Sequence, residues 1–193
     1  MSAVSAPGTD GRPRCPWAVT AADYCDYHDT EWGMPVHGTA ALFERLSLEA
    51  FQSGLSWLTI LRKRTAFRRA FVGFDPAAVA AFSGDDVARL LTDAAIIRNR
   101  AKIEATIRNA RAVTELGADL DALLWSYAPD PAGRFTPRTT ADVPARTPES
   151  EAMSRTLRRR GFTFVGPITC YALMQATGMV DDHLAGCFRR AAR

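Results

Sequence analysis

Four residues of metal-ligand type stand near the two ends of the chain. Cys15 and His28 lie close to the start, and His183 and Cys187 close to the end, in "VDDHLAGCFRR". Two thiolates and two neutral imidazoles are the donor set of a closed tetrahedral zinc site. His183 and Cys187, at i and i+4, face the same way if this end is helical. Cys15 and His28 need a folded segment to meet. One ion would then staple the N-terminal segment to the C-terminal end. The spacing is not that of a compact zinc finger, and two buried cysteines with two incidental histidines would give the same letters. Disulfides are not expected in a cytosolic chain.

A second candidate lies in "RRRGFTFVGPITCYALMQATG". It reads as a helix, a tight turn with Gly161 and Gly166, and a second helix, flanked by Arg158, Arg159 and Arg160. A helix N-terminus can offer backbone N–H groups to a phosphate. A helical hairpin that merely packs would look the same. The basic residues are unevenly chosen: Lys63 and Lys102 are the only lysines, and the rest are arginines. A guanidinium forks onto two phosphate oxygens, though a GC-rich genome gives the same bias. The net charge of +3 is mild.

The elements that must position these residues read as helices. Thr39 can cap a helix to about Ser53, with Leu42, Phe43, Leu46, Leu48 and Phe51 mostly on one face. Gly54 ends it. The next helix covers about Trp57 to Phe71, with Arg62, Lys63, Arg64, Arg68 and Arg69 outside. Asp75 and Pro76 start another, and Ser83 or Gly84 caps a short one. A longer helix spans about Arg98 to Leu116, stopped near Gly117. "DLDALLWSYA" gives one more, ended before Pro129. A proline-rich loop follows, to Thr147 and Pro148, which open a helix closed at Gly161. The last spans roughly Pro167 to Thr177. No strand pattern or repeat is evident, so the class is all-α. The first fourteen residues read as a flexible tail without a signal-type apolar segment, residues 15–190 as one domain, and residues 191–193 as a tail. No apolar run approaches the roughly 18 residues that span a membrane. The default location is the cytoplasm.

Five stretches together carry a family resemblance. They are "RCPWA", "YCDYHDTEWGMPV", "LFERLSLEAFQSGLSWLTILRKR", "AIIRNRAKIEATIRNA" and "GFTFVGPITCYALMQATGMVDDHLAGC". The chain resembles the bacterial DNA-3-methyladenine glycosylase I family over nearly everything from Cys15 to Cys187. The resemblance implies an all-helical helix-hairpin-helix glycosylase fold of two lobes with the base pocket between them. It also implies a structural zinc held by Cys15, His28, His183 and Cys187, while Cys25 and Cys170 match no ligand position. The implied activity is monofunctional excision of N3-methyladenine from double-stranded DNA, by a nucleoid-associated monomer.

By that resemblance Tyr24, Tyr27, Trp32 and Trp57 form the base pocket, and Glu49 reads the base edge. Without it, Glu49 would read as a charge on a solvated helix flank. Gly54 and Leu55 become the junction and the plug that fills the gap left by a flipped nucleotide; locally, Leu55 could equally be core. Phosphate contacts fall to Arg158, Arg160, Gly161 and Gly166. The family usually resembles "VNDH" where this chain has "VDDH". Asp181 is therefore a departure, either a cap at the zinc turn or an added catalytic carboxylate. A non-catalytic DNA-damage binding module and a glycosylase with shifted alkylpurine specificity are the alternatives.

Overall fold

The computed structural model describes residues 4–116 and 119–191. The expected stop at Gly117 and the last two residues of the expected C-terminal tail lie outside them. Among the described residues the chain forms ten α-helices and one short strand pair. The helices are α1 (Ala22–Thr30), α2 (Thr39–Gln52), α3 (Trp57–Ala70), α4 (Pro76–Ala80) and α5 (Gly84–Thr92). They continue with α6 (Arg100–Glu115), α7 (Leu120–Trp125), α8 (Pro148–Arg159), α9 (Pro167–Ala176) and α10 (Phe188–Ala191).

Side-chain caps set several of these starts. Asp75 accepts from the Ala78 N–H, Ser83 and Asp86 form a reciprocal capping box, and Thr147 accepts from Ser150. Thr39 does not cap α2. It is the first helical residue behind Gly38, and its hydroxyl donates to Asp119 instead.

Helix α2 is the hub, packing against α9, α3, α6 and α7. The sequence suggests one apolar face, yet every residue from Leu42 to Phe51 is buried, including Glu44, Arg45 and Glu49. The charges are absorbed by a network. Glu31 Oε2 accepts from Arg45 (2.7 Å) and Arg64 (2.6 Å), and Glu44 Oε1 accepts from Arg64 (2.6 Å) and Arg68 (3.0 Å). Arg64, expected on the outside of α3, is thus a buried tie between α1, α2 and α3.

Residues 4–14 depart from the tail reading. Ala6–Pro7 pairs antiparallel with Pro13–Arg14. Arg14 explains this: it is 3% exposed and its guanidinium is shared by Asp10 and Asp29. Pulling this buried guanidinium out would cost it both partners and leave the half-buried Asp29 without its ion pair. Later in the chain, Gly178 has φ +74° and faces residues 33–35. A Cβ there would lie 2.7 Å from the Gly33 carbonyl oxygen. This close approach seats the end of α9 against the segment leading into α2.

Candidate functional site

The four expected metal ligands are all buried. Cys15 follows the strand pair and His28 lies on α1. Helix α1 is stabilised by what it packs against rather than by its own capping: it has no side-chain cap, and it buries Tyr27 and His28. His183 and Cys187 do not share a helix, because helical structure begins only at Phe188. A turn closed by the Cys187 N–H on the Leu184 carbonyl (2.8 Å) brings Cys187 inward instead.

Cys15, His28 and Cys187 place one ligand atom each within 4.8 Å of one another, a group that can hold a metal ion. The Cys187 sulfur lies 3.4 Å from His28 Nε2. Cys187 is drawn toward its thiolate by the Cys15 thiol beside it, then by His28. The thiolate is the ligating form. His183 is not in that three-atom group, but its ring centre is 5.0 Å from that of His28. Its Nε2 is buried without a hydrogen-bond partner.

Both imidazoles are oriented by carboxylates. His28 Nδ1 lies 2.8 Å from Asp29 Oδ1, and His183 Nδ1 lies 2.9 Å from Asp181 Oδ1. A carboxylate on Nδ1 leaves Nε2 as the free lone pair, which is how metal-binding histidines are usually held. An orphaned imidazole nitrogen, two thiols and two orienting carboxylates fit a zinc ion.

Beside this group lies a cavity of about 310 Å³. Tyr24, Tyr27, Trp32, Trp57 and Glu49 all line it. Tyr27 and Trp57 have ring centres 5.5 Å apart. The metal group and the cavity share a wall: Cys15 and Leu184 border both, and Trp32 lies 4.6 Å from His183, centre to centre.

Glu49 is the electrostatic oddity of this cavity. It is 6% exposed, and no hydrogen bond reaches its carboxylate among the described residues. Burial pushes its carboxyl up to about 8, against the opposing pull of Arg45. A buried, unpaired carboxylate costs stability, and such groups gather where chemistry is done.

Sequence reasoning missed Trp17, Gln52, Gln175, Asp182 and the loop residues Thr140 and Val143, all of which line the cavity. Trp17 was within reach as the aromatic two residues after Cys15, and its ring lies 5.1 Å from Trp32. Gln52 lies one helical turn beyond Glu49 on α2. Asp182, not Asp181, borders the cavity. Its carboxylate is used internally by Tyr171 (2.6 Å), Arg134 (2.7 Å) and Gln175 (2.9 Å). Arg134 thereby clips the long loop across this wall.

The remaining expected residues lie outside the cavity. Gly54 (φ +80°) and Leu55, which is 40% exposed, form the α2–α3 junction. Arg158, Arg160 and Gly161 are exposed at the α8–α9 turn, and Gly166 is the N-cap residue of α9. No side chain caps that N-terminus. The turn is tightly held. Asn109 accepts from the Thr163 N–H (2.8 Å) and donates to the Thr163 carbonyl (3.0 Å), while Ser154 donates to the Val165 carbonyl (2.6 Å). These bonds hold Phe164 at φ +56°, a conformation costly for a bulky side chain.

The family model described as methyladenine glycosylase matches residues 17–190. The DNA-3-methyladenine glycosylase 1 of Escherichia coli (strain K12) is 44% identical over 177 residues, covering 90% of this chain and 95% of the relative. The DNA-3-methyladenine glycosylase of Haemophilus influenzae (strain ATCC 51907 / DSM 11121 / KW20 / Rd) is 42% identical over 178 residues, covering 90% and 96%. A solved structure of a 3-methyladenine DNA glycosylase I variant in complex with 3-methyladenine superposes with a TM-score of 0.85. It has 32% identity and covers 91% of this chain and 96% of that one. This chain belongs to the methyladenine glycosylase family.

Proposed function

We propose that the protein is a DNA-3-methyladenine glycosylase of base-excision repair. It hydrolyses the N-glycosidic bond of N3-methyladenine in alkylated DNA, releasing free base and leaving an abasic site. The observation that carries this reading is Glu49, a buried carboxylate without a hydrogen bond in a cavity walled by tryptophans and tyrosines. The relatives named for this activity, and the related enzyme bound to 3-methyladenine, support it.

The chemistry follows from the lesion. A base inside a duplex is out of reach, so it is flipped out. A 3-methylated adenine nucleoside is cationic and leaves as a neutral molecule. Its charge favours stacking on electron-rich rings such as Tyr27 and Trp57. Glu49 accepts a hydrogen bond from the exocyclic amino group, and its negative form is stabilised by the cation it faces. Unmodified adenine lacks that charge and is a poor leaving group. Cleavage is dissociative, through an oxocarbenium-like sugar that water attacks at C1′. No residue forms a covalent bond to the sugar.

The metal group is read as a structural zinc site with Cys15, His28, His183 and Cys187 as its ligands. A zinc ion held by these residues would join the two chain ends as a structural element. Asp29 and Asp181 orient the two imidazoles, which supports reading Asp181 as part of the metal turn rather than as a catalytic carboxylate. Double-stranded DNA is held by the α8–α9 turn with Arg158 and Arg160, and Leu55 fills the gap left by the flipped base.

The test is chromatography of bases released from methylated DNA by the purified protein and by its Glu49→Ala variant. Release of N3-methyladenine by the wild type, and its loss in the variant, is expected. No release by the wild type would refute the reading and leave a binding module.

A further inference from the structure

Each of the two lysines of this arginine-rich chain places its ammonium between two backbone carbonyls. Lys63 Nζ donates to the carbonyls of Ala94 and Ala95, both at 3.0 Å, just beyond the end of α5. Lys102 Nζ donates to the carbonyls of Phe51 (2.8 Å) and Ser53 (2.5 Å) at the end of α2. The last carbonyls of a helix have no partner within the helix and carry partial negative charge. A compact ammonium can sit among several carbonyls, whereas a planar guanidinium spreads its donors over a wide fork. Arginine is therefore not equivalent at these two positions.

Lys102 acts on a particular turn. Ser53 has φ −46° and ψ 116°, Gly54 has φ +80°, and the Leu55 N–H donates to the Gln52 carbonyl at 2.6 Å. These values define a type II turn with glycine where a positive φ is required. Type I and type II turns differ by a flip of the central peptide, here the one joining Ser53 and Gly54. The Ser53 carbonyl is the oxygen that Lys102 holds. Its bond therefore selects one orientation of that peptide, and with it the direction in which the exposed Leu55 leaves α2. Lys102 is 7% exposed, and among the described residues its ammonium bonds carbonyls rather than a carboxylate.

We infer that Lys102 is a positioning residue for DNA opening: by holding the Phe51 and Ser53 carbonyls it locks the turn that presents Leu55 to the duplex. The inference rests on the reading of Leu55 as the residue that fills the flipped-out gap. Its consequence is a separation of effects. Loss of Lys102 impairs the step that needs a duplex and spares the pocket that receives the free base.

The experiment measures kcat/KM on methylated duplex DNA and, by tryptophan fluorescence, affinity for free 3-methyladenine, in Lys102→Met, Leu55→Ala and the double variant. For Lys102→Met, kcat/KM should fall about tenfold with free-base affinity changed by less than about twofold, as a misplaced positioning group predicts. The double variant should be no worse than Leu55→Ala alone. Should Lys102→Met fail to fold, Lys102→Arg keeps the charge and reads the same split. Gly54→Ala, strained at φ +80°, disturbs the same turn independently. Equal losses in both measurements, full activity without the lysine, or additive losses in the double variant would overturn the role of Lys102. Unchanged kcat/KM in Leu55→Ala would instead overturn the wedge reading on which it rests.

Discussion

Glu49 and Asp181 are the two carboxylates whose roles depend most on their surroundings. Burial holds the folded pKa of Glu49 near 8 against an ordinary value of 4.5. A raised carboxyl pKa means that the unfolded chain loses its proton first. The stability that Glu49 contributes is therefore full below about pH 4.5 and declines as pH rises toward about 8. Glutamine cannot ionise, so Glu49→Gln should show a higher urea midpoint than wild type at pH 8, with the gap closing below pH 4.5. The same variant should lose on the order of a hundredfold in base release, the scale seen when one preorganised electrostatic group is removed. A stability gap that does not vary with pH would show that Glu49 is not a buried acid. Asp181 makes the opposite prediction. Its Oδ1 accepts from both the backbone N–H and Nδ1 of His183, and an asparagine oxygen can accept the same bonds. Asp181→Asn should therefore leave base release nearly unchanged, while Asp181→Ala should weaken zinc binding at least tenfold or so in chelator competition. A hundredfold loss of release in Asp181→Asn, about 3 kcal/mol, would return this carboxylate to the catalytic step.

Helices were legible wherever they carry their own start signals. Asp75, Ser83 and Thr147 announce α4, α5 and α8, and all three make their capping bonds. Helix α1 carries no such signal. "ADYCDYHDT" is polar and uncapped, and forms because Tyr27 and His28 are buried against distant parts of the chain. The pairing of residues 6–7 with 13–14 was hidden for the same reason, since it depends on Asp29 meeting Arg14. The α8–α9 turn lies between these cases. Its glycines and arginines were visible, but the Asn109 brace on Thr163 was not. Arg158 and Arg160 are exposed and make no ion pair among the described residues, as phosphate-binding groups should be before DNA arrives. Arg158→Ala and Arg160→Ala should each weaken DNA binding whatever the sequence. Each should also lower the slope of log affinity against log salt by about 0.9. An unchanged slope in both variants would move the DNA face elsewhere.

Across the whole molecule, the ligand letters were readable at both ends of the chain, but their connection to the cavity was not. Trp17, Gln175 and Asp182 join the cavity only because the two ends meet beside α2 and α9. No local period encodes such a meeting. The shared wall makes a further prediction. Trp32 packs on His183 and on Trp17, and Cys15 and Leu184 border both the metal group and the cavity. Binding energy of a structural zinc is folding energy for the segments it joins. Removing the ion should thus free Cys15 and Trp17 and loosen one side of the base pocket, while Arg14 still ties the strand pair to Asp29. The α8–α9 turn depends instead on Asn109, Ser154 and Cys170, which touch no metal ligand. Zinc removal by chelator, or Cys187→Ala, should therefore lower the melting temperature, open residues 15–20 to proteolysis and weaken free 3-methyladenine binding. The salt slope of DNA binding should stay where it was, because Arg158 and Arg160 remain in place. Full zinc occupancy in Cys187→Ala would refute the ligand assignment. Loss of zinc without any change in base affinity would show that the wall stands without the ion.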